Sequence, residues 1–212
     1  VFVDFDGTVT DRDTFDVLVP LFATKAVWDA TERALDQGRA TIREVLASQA
    51  ALVRGERSEV NAILRREVNV DPSFAAFARA CAAAAVPLTI VSSGIESIIR
   101  DRLGDFGLDA LPVVANDVEV RPEGWSMRFR DAAGNGTDKA ALVDDAIAHG
   151  LRTIFVGDGR SDFDASLRAD VRFAKRGLPL ERYLARHEAT FERFDSFEDV
   201  ERRCAALGVF GT

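Results

Sequence analysis

Asp4 and Asp6 stand two residues apart at the end of the apolar run Val1-Phe2-Val3, and Gly7-Thr8 follow at once. In an extended segment, residues i and i+2 project to the same side, so both carboxylates can face one substrate. That pattern suits phosphoryl transfer, one carboxylate attacking phosphorus and the other handling a proton. Gly7 permits a sharp exit from the strand. A strand followed by an Asx-type turn would use the same residue types, so the motif gains weight only from what lies downstream.

Three further segments place polar groups where an apolar run meets a turn. In Ile90-Val91-Ser92-Ser93-Gly94, a hydroxyl and the backbone N–H groups of a helix start can hold phosphate oxygens; an ordinary serine N-cap is the alternative. Lys139, in Gly136-Thr137-Asp138-Lys139, opens a helix, where a cation works against the helix dipole unless an anionic site lies nearby; a solvated surface lysine is the alternative. Asp158, flanked by Gly157 and Gly159, precedes Asp162 by four residues, one helical turn. Paired carboxylates there offer the hard oxygen ligands that Mg²⁺ requires, although a Gly-Asp-Gly turn with a Ser161-capped helix would read similarly.

The elements that must position these groups alternate. Strands are expected at 1–3, 86–91, 152–156, 171–174 and 190–193, with Ser92-Ser93-Gly94 ending the second, and a hairpin at 112–129 turning at Pro122-Glu123-Gly124. Helical apolar spacing marks segments near 13–23, 26–37, 40–54, 57–67 and 72–84, the last starting at Asp71-Pro72. Further helices are expected from Ile95, over 138–148 behind a polar Gly134-Asn135-Gly136 loop, from Ser161, and over 179–186 and 196–205. Strands alternating with helices imply an α/β fold with a parallel central sheet covered on both faces. The helical block after the first strand reads as an insertion, giving a core of 1–12 and 76–212 and an all-helical cap of 13–75 beside the site.

Composition narrows the partners. A net charge of −8 speaks against nucleic acid and anionic membranes, both of which need basic patches. A phosphorylated metabolite remains suitable, because a metal and a few donors reverse the sign of a site locally. Of the 27 basic residues 24 are arginine, which makes Lys25, Lys139 and Lys175 conspicuous. With only Cys81 and Cys204, no disulfide framework is expected, and the reducing cytoplasm is the expected setting. No heptad run indicates an oligomeric state. His149 and His187 lack catalytic or metal-ligand spacing, and Trp28 and Phe22 read as core.

Taken in order, Asp4-Phe5-Asp6-Gly7-Thr8, Ser92, Lys139 and Gly157-Asp158-Gly159 with Asp162 match the four motifs of the haloacid dehalogenase superfamily, which the chain resembles over about its whole length. The resemblance implies a Rossmann-like three-layer sandwich and a Mg²⁺-dependent phosphomonoesterase for a small phosphorylated metabolite. Asp4 would be the nucleophile that forms an aspartyl-phosphate, and Asp6 the acid for the leaving alcohol and then the base for water. Ser92 would hold a phosphoryl oxygen beside Ser93 and Gly94, and Lys139 would offset the like charges of Asp4 and phosphate. Asp4, Asp6 (through its backbone carbonyl), Asp158 and Asp162 would hold the metal.

The helical insertion is similar to the phosphoserine phosphatase branch, and details such as Thr10, Val91-Ser92-Ser93-Gly94 and Phe173-Ala174 resemble still more the methionine-salvage phosphatases. Asp13 stands where phosphoserine phosphatases carry a glutamate for the substrate amine; an N-cap is its other reading. Phosphotransfer or mutase chemistry, phosphonate cleavage through a Schiff base on Lys25, and a non-catalytic phosphometabolite-binding role are the rivals.

Overall fold

The structure, a computed structural model, describes residues 1–132 and 136–211. Gly134 and Asn135 of the expected polar loop lie outside the described residues. Strand β1 (Phe2–Val3) is short and central, with β2 (Thr89–Ile95) on one side and β5 (Ile154–Gly157) on the other, both parallel to it. Beyond β2 lie β3 (Val113–Glu119) and β4 (Ser126–Arg128); beyond β5 lie β6 (Val171–Lys175) and β7 (Glu192–Phe194). The sheet runs β4-β3-β2-β1-β5-β6-β7, and only β4 is antiparallel to its neighbour.

Alternation along the strands decides the layers. Val3, Ile90, Ile154, Val156 and Phe173 face one apolar cluster with α5 (Phe74–Ala83), α6 (Glu96–Gly104) and α10 (Phe197–Ala206). Phe2, Val91 and Phe155 face the other way, towards α7 (Lys139–Ala148) and α8 (Phe163–Arg168). Ala174 packs on α9 (Pro179–Arg186). The result is a three-layer α/β sandwich of Rossmann-like form.

Helices α1 (Thr14–Phe22), α2 (Lys25–Asp36), α3 (Ile42–Ala50) and α4 (Arg57–Glu67) follow β1 and share their own cluster around Phe15, Leu18, Val53 and Leu64. Their starts are chemically marked. Thr24 and Thr41 accept N–H bonds as N-caps, and Glu44 completes a capping box with Thr41. From Val70 the chain rejoins the sheet-side cluster, with Phe74 and Ala75 in α5.

Two local expectations change. The second strand does not stop at Ser92: β2 runs through to Ile95 with an irregularity after Val91, and the Asn116 side chain donates to Ser93 O at 2.7 Å where the ladder is broken. Pro72 lies in the turn before α5 rather than in its first turn, and Asp71 there accepts from Ser73 N. The hairpin forms where expected, β3 pairing antiparallel with β4. Its first strand is a parallel member of the sheet, and its second end carries Trp125, 1% exposed, whose Nε1 donates to Gly55 O at 3.0 Å. With Arg57 donating to Val118 O at 3.1 Å, this ties the α3–α4 connection to the sheet edge. Among the described residues no helix is long and apolar enough to cross a membrane.

Candidate active site

The strand ends converge. Past β1 the backbone stays in register with β5, Asp4 N donating to Val156 O at 2.9 Å, so Asp4 emerges beside the β5 end that delivers Asp158. Two glycines make room. Gly7 has φ +76° and a Cβ there would lie 2.6 Å from Asp158 Oδ2; a Cβ on Gly94 would collide with Asp6 Oδ2.

Lys139 is the hub. It is 1% exposed, and its Nζ donates to Asp4 Oδ1 at 2.6 Å, Asp162 Oδ1 at 2.7 Å and Ser161 Oγ at 3.0 Å. Asp162 is sealed at 0% exposure; its second oxygen accepts from the Asp158 and Gly159 amides, both at 3.0 Å. Asp138 takes the N-cap of α7 and accepts from Ala141 N, which leaves Lys139 free to turn inwards from the first helical turn.

Asp6 lies across from this hub. Its Oδ1 accepts from Thr14 N at 3.1 Å and Thr14 Oγ1 at 2.5 Å, and Ser92 Oγ is 3.4 Å from Oδ2. Ser92 does not cap α6, whose N-cap is Ile95 without a side-chain bond; its Oγ accepts from Gly94 N at 2.9 Å. Asp13 is the N-cap of α1, accepting from Phe15 N at 2.7 Å, and it also lines the cavity. Ser93 is buried with an unpartnered Oγ and lines the same cavity.

Burial dominates the electrostatics. It pushes Asp4 up to about 7, Asp162 adding to the shift and Lys139 opposing it. Burial raises Asp158 well above the carboxylate range, with Asp4 and Asp162 reinforcing it. Asp6 is raised by burial against the Thr14 and Lys139 contacts. Burial also works to strip the Lys139 proton, but Asp162 and Asp4 outweigh it and hold the pKa above the ordinary lysine value. Oxygens of Asp4, Asp158 and Asp162 lie within 4.8 Å of one another, a hard-donor set that fits Mg²⁺. Both Asp162 oxygens are already engaged, so Asp4 and Asp158 are the better placed pair.

The cavity over these groups measures about 440 Å³. Asp4, Asp6, Ser92 and Asp158 line its floor. Phe15, Trp28, Ile42 and Leu46 give it an apolar wall, and Asp13, Asp16 and Glu32 an acidic one. Asp16 accepts from Trp28 Nε1 at 2.9 Å. Arg160 reaches across to pair with Asp36 of α2. Lys25 is not among the lining residues; it pairs with Asp29 on an exposed helix face, which removes the support for a Schiff base there.

Sequence reading assigned no role to Thr8, Thr14, Asn116 or Lys175. Thr8 Oγ1 donates to Asp158 Oδ1 at 2.8 Å and lies 3.3 Å from Asp4 Oδ2. Two of the four carried a signal, Thr8 as a member of the first motif and Lys175 as one of three lysines, at the end of a strand.

The haloacid dehalogenase-like hydrolase model matches residues 1–166. Pdp3-interacting factor 1 of Schizosaccharomyces pombe is 31% identical over 95% of this chain and 93% of its own. The polyol phosphate phosphatase PYP1 of Saccharomyces cerevisiae is 29% identical over 94% and 90%. The 2-hydroxy-3-keto-5-methylthiopentenyl-1-phosphate phosphatase of Brevibacillus brevis is 27% identical over 84% and 83%. In fold, a substrate-bound phosphoserine phosphatase superposes with a TM-score of 0.74 at 16% identity, covering 95% of this chain and 96% of the other.

Proposed function

The chain belongs to the haloacid dehalogenase-like hydrolases, and from that premise we propose that it is a Mg²⁺-dependent phosphomonoesterase acting through an aspartyl-phosphate on Asp4. The observation that carries this reading is Lys139, buried and 2.6 Å from Asp4 at the floor of a cavity that Asp6 and Ser92 also line.

Asp4 attacks phosphorus; an O–P bond forms to its carboxylate and the bond to the ester oxygen breaks. Asp6, raised by burial, gives its proton to the departing alkoxide. It then takes a proton from water, whose oxygen attacks the same phosphorus and frees Asp4 and inorganic phosphate. Lys139 stabilises charge on Asp4 and the transferring group. Ser92 Oγ and nearby backbone N–H groups hold phosphoryl oxygens. Asp4 and Asp158 would hold Mg²⁺, which supplies charge to offset repulsion between carboxylate and phosphate.

Residues 13–75 serve as the cap in this reading, with α1, α2 and α3 walling the cavity. The acidic wall of Asp13, Asp16 and Glu32 favours a tail with hydroxyls over one with a second anion. The named substrates of two relatives, a polyol phosphate and a methylthiopentenyl phosphate, support that choice.

The test is phosphate release from a metabolite panel, with Mg²⁺ or EDTA, for wild type and Asp4→Asn. Release that needs metal and vanishes in Asp4→Asn is the expected result. Transfer to an added alcohol acceptor in place of release would favour a phosphotransferase. Folded protein without turnover of any kind would sink the enzymatic reading.

A further inference from the structure

Lys175 closes β6, and its Nζ donates to three carbonyls of a single loop: Gly7 O at 2.8 Å, Thr8 O at 3.1 Å and Thr10 O at 3.1 Å. A lysine ammonium has three donors, so all of them go to the segment that leaves β1. The loop is also tied internally, Gly7 N donating to Thr10 Oγ1 at 3.0 Å and Thr10 Oγ1 to Arg12 O at 2.8 Å. These ties fold the chain so that three carbonyls converge on one point. Three oxygen dipoles gathered there repel one another unless a cation or several donors sit between them. Burial lowers the Lys175 pKa, the cost of taking an ammonium out of water, and the carbonyls stand in for its lost hydration.

The opposite side of the same loop faces the reaction. Thr8 Oγ1 is 2.8 Å from Asp158 Oδ1 and 3.3 Å from Asp4 Oδ2. The same loop therefore contacts both Lys175 and that carboxylate pair. We propose that Lys175 is a positioning residue for the metal-binding pair: by clamping the carbonyls of residues 7–10 it sets the Thr8 hydroxyl, which orients Asp158 and Asp4. This rests on the reading of Asp4 and Asp158 as the Mg²⁺ pair. Lys175 is not among the residues that line the cavity.

Calorimetric Mg²⁺ titration of the substrate-free protein tests the idea apart from turnover, alongside melting temperature and kcat. Lys175→Met keeps the aliphatic stem and removes the donors; Thr8→Val keeps the shape and removes the hydroxyl. Each single change is expected to weaken Mg²⁺ binding roughly ten- to a hundredfold, as loss of supporting contacts around metal ligands does. The double variant is expected to bind no more weakly than the worse single, because both changes break one relay. Lys175→Gln, which keeps two N–H donors on a shorter, uncharged side chain, should fall between wild type and Lys175→Met, and it carries the test should the methionine variant not fold. Wild-type affinity in the Lys175 variants, or losses that multiply in the double variant, would overturn the proposal alone, leaving a merely structural lysine that moves only the melting temperature. A wild type that binds no Mg²⁺ would overturn both this proposal and the metal reading beneath it.

Discussion

Asp162 and Lys139 form a sealed ion pair: Oδ1 lies 2.7 Å from Nζ, with the two side chains 0% and 1% exposed. The second oxygen of Asp162 fixes the loop that presents Asp158. One carboxylate thus aims the cation and orders the neighbouring loop. Removing Asp162 leaves Lys139 with Asp4 as its remaining carboxylate partner but strips the Asp158 and Gly159 amides of their acceptor. A buried polar group left unpaired costs about 1–3 kcal/mol. Asp162→Ala should lower stability by about that amount in urea unfolding, and kcat should fall in the fraction that stays folded. A variant with unchanged midpoint and kcat would refute the assigned role.

Asp4→Asn keeps size and shape but loses the nucleophile. Phosphate release should drop by at least about 10³-fold, while the far-ultraviolet dichroism stays unchanged. Rapid-quench labelling with a ³²P-substrate should give an acid-stable phosphoprotein in the wild type and none in the variant.

Asp6→Asn separates proton donation from attack. General acid–base catalysis contributes about 10²–10⁴-fold, and it matters most for poor leaving groups. The variant should lose that much kcat on alkyl phosphates and distinctly less on para-nitrophenyl phosphate, whose phenolate leaves without help. Equal losses on both would remove Asp6 from the acid role.

Stability without metal should fall as pH rises from about 4 towards 7. Burial raises Asp4 to about 7 and pushes Asp6, Asp13 and Asp158 upward, so in this window the folded chain binds more protons than the unfolded one. A raised carboxylate contributes stability below its unfolded pKa and loses it as pH climbs through the folded value. Carboxylates held low, such as Asp170 and Asp199, oppose this trend only near the lower end of the window, where the unfolded carboxylate still holds part of its proton, and add no slope once ionised in both states. Melting temperatures in EDTA should show the decline, and Mg²⁺ should flatten it. A flat EDTA profile would contradict the electrostatic reading.

The acidic wall should discriminate between tails. Glycerol phosphate should exceed 3-phosphoglycerate, whose tail carries a carboxylate and no ammonium, in kcat/KM by about tenfold or more, equivalent to about 1.4 kcal/mol. Asp16→Asn combined with Glu32→Gln should narrow the gap, by relieving repulsion of the glycerate carboxylate. A gap that stays the same would mean that other residues set specificity.

By itself the sequence determined where the strands lie, the residue types at or near their ends and the covered sheet, though not that β2 runs on to Ile95. Those properties are local: alternation assigns each strand residue to a face, and Thr24, Thr41 and Asp13 mark helix starts through their own neighbouring amides. Asp4, Asp6, Ser92 and Asp158 were legible because each follows an apolar run at a turn, and Lys139 because it opens a helix behind a polar loop in a chain with three lysines. Tertiary structure decided what those groups touch. Asp4 and Lys139 are 135 residues apart and meet only because the order β2-β1-β5 brings their elements to one edge. No local spacing encodes that Asp162 gives its oxygens to Lys139 and to a loop, or that Trp125 clamps the α3–α4 connection. Lys175 is the clearest case. Its partners are backbone carbonyls, which every residue carries, so the sequence shows the donor and only the folded loop supplies the acceptors.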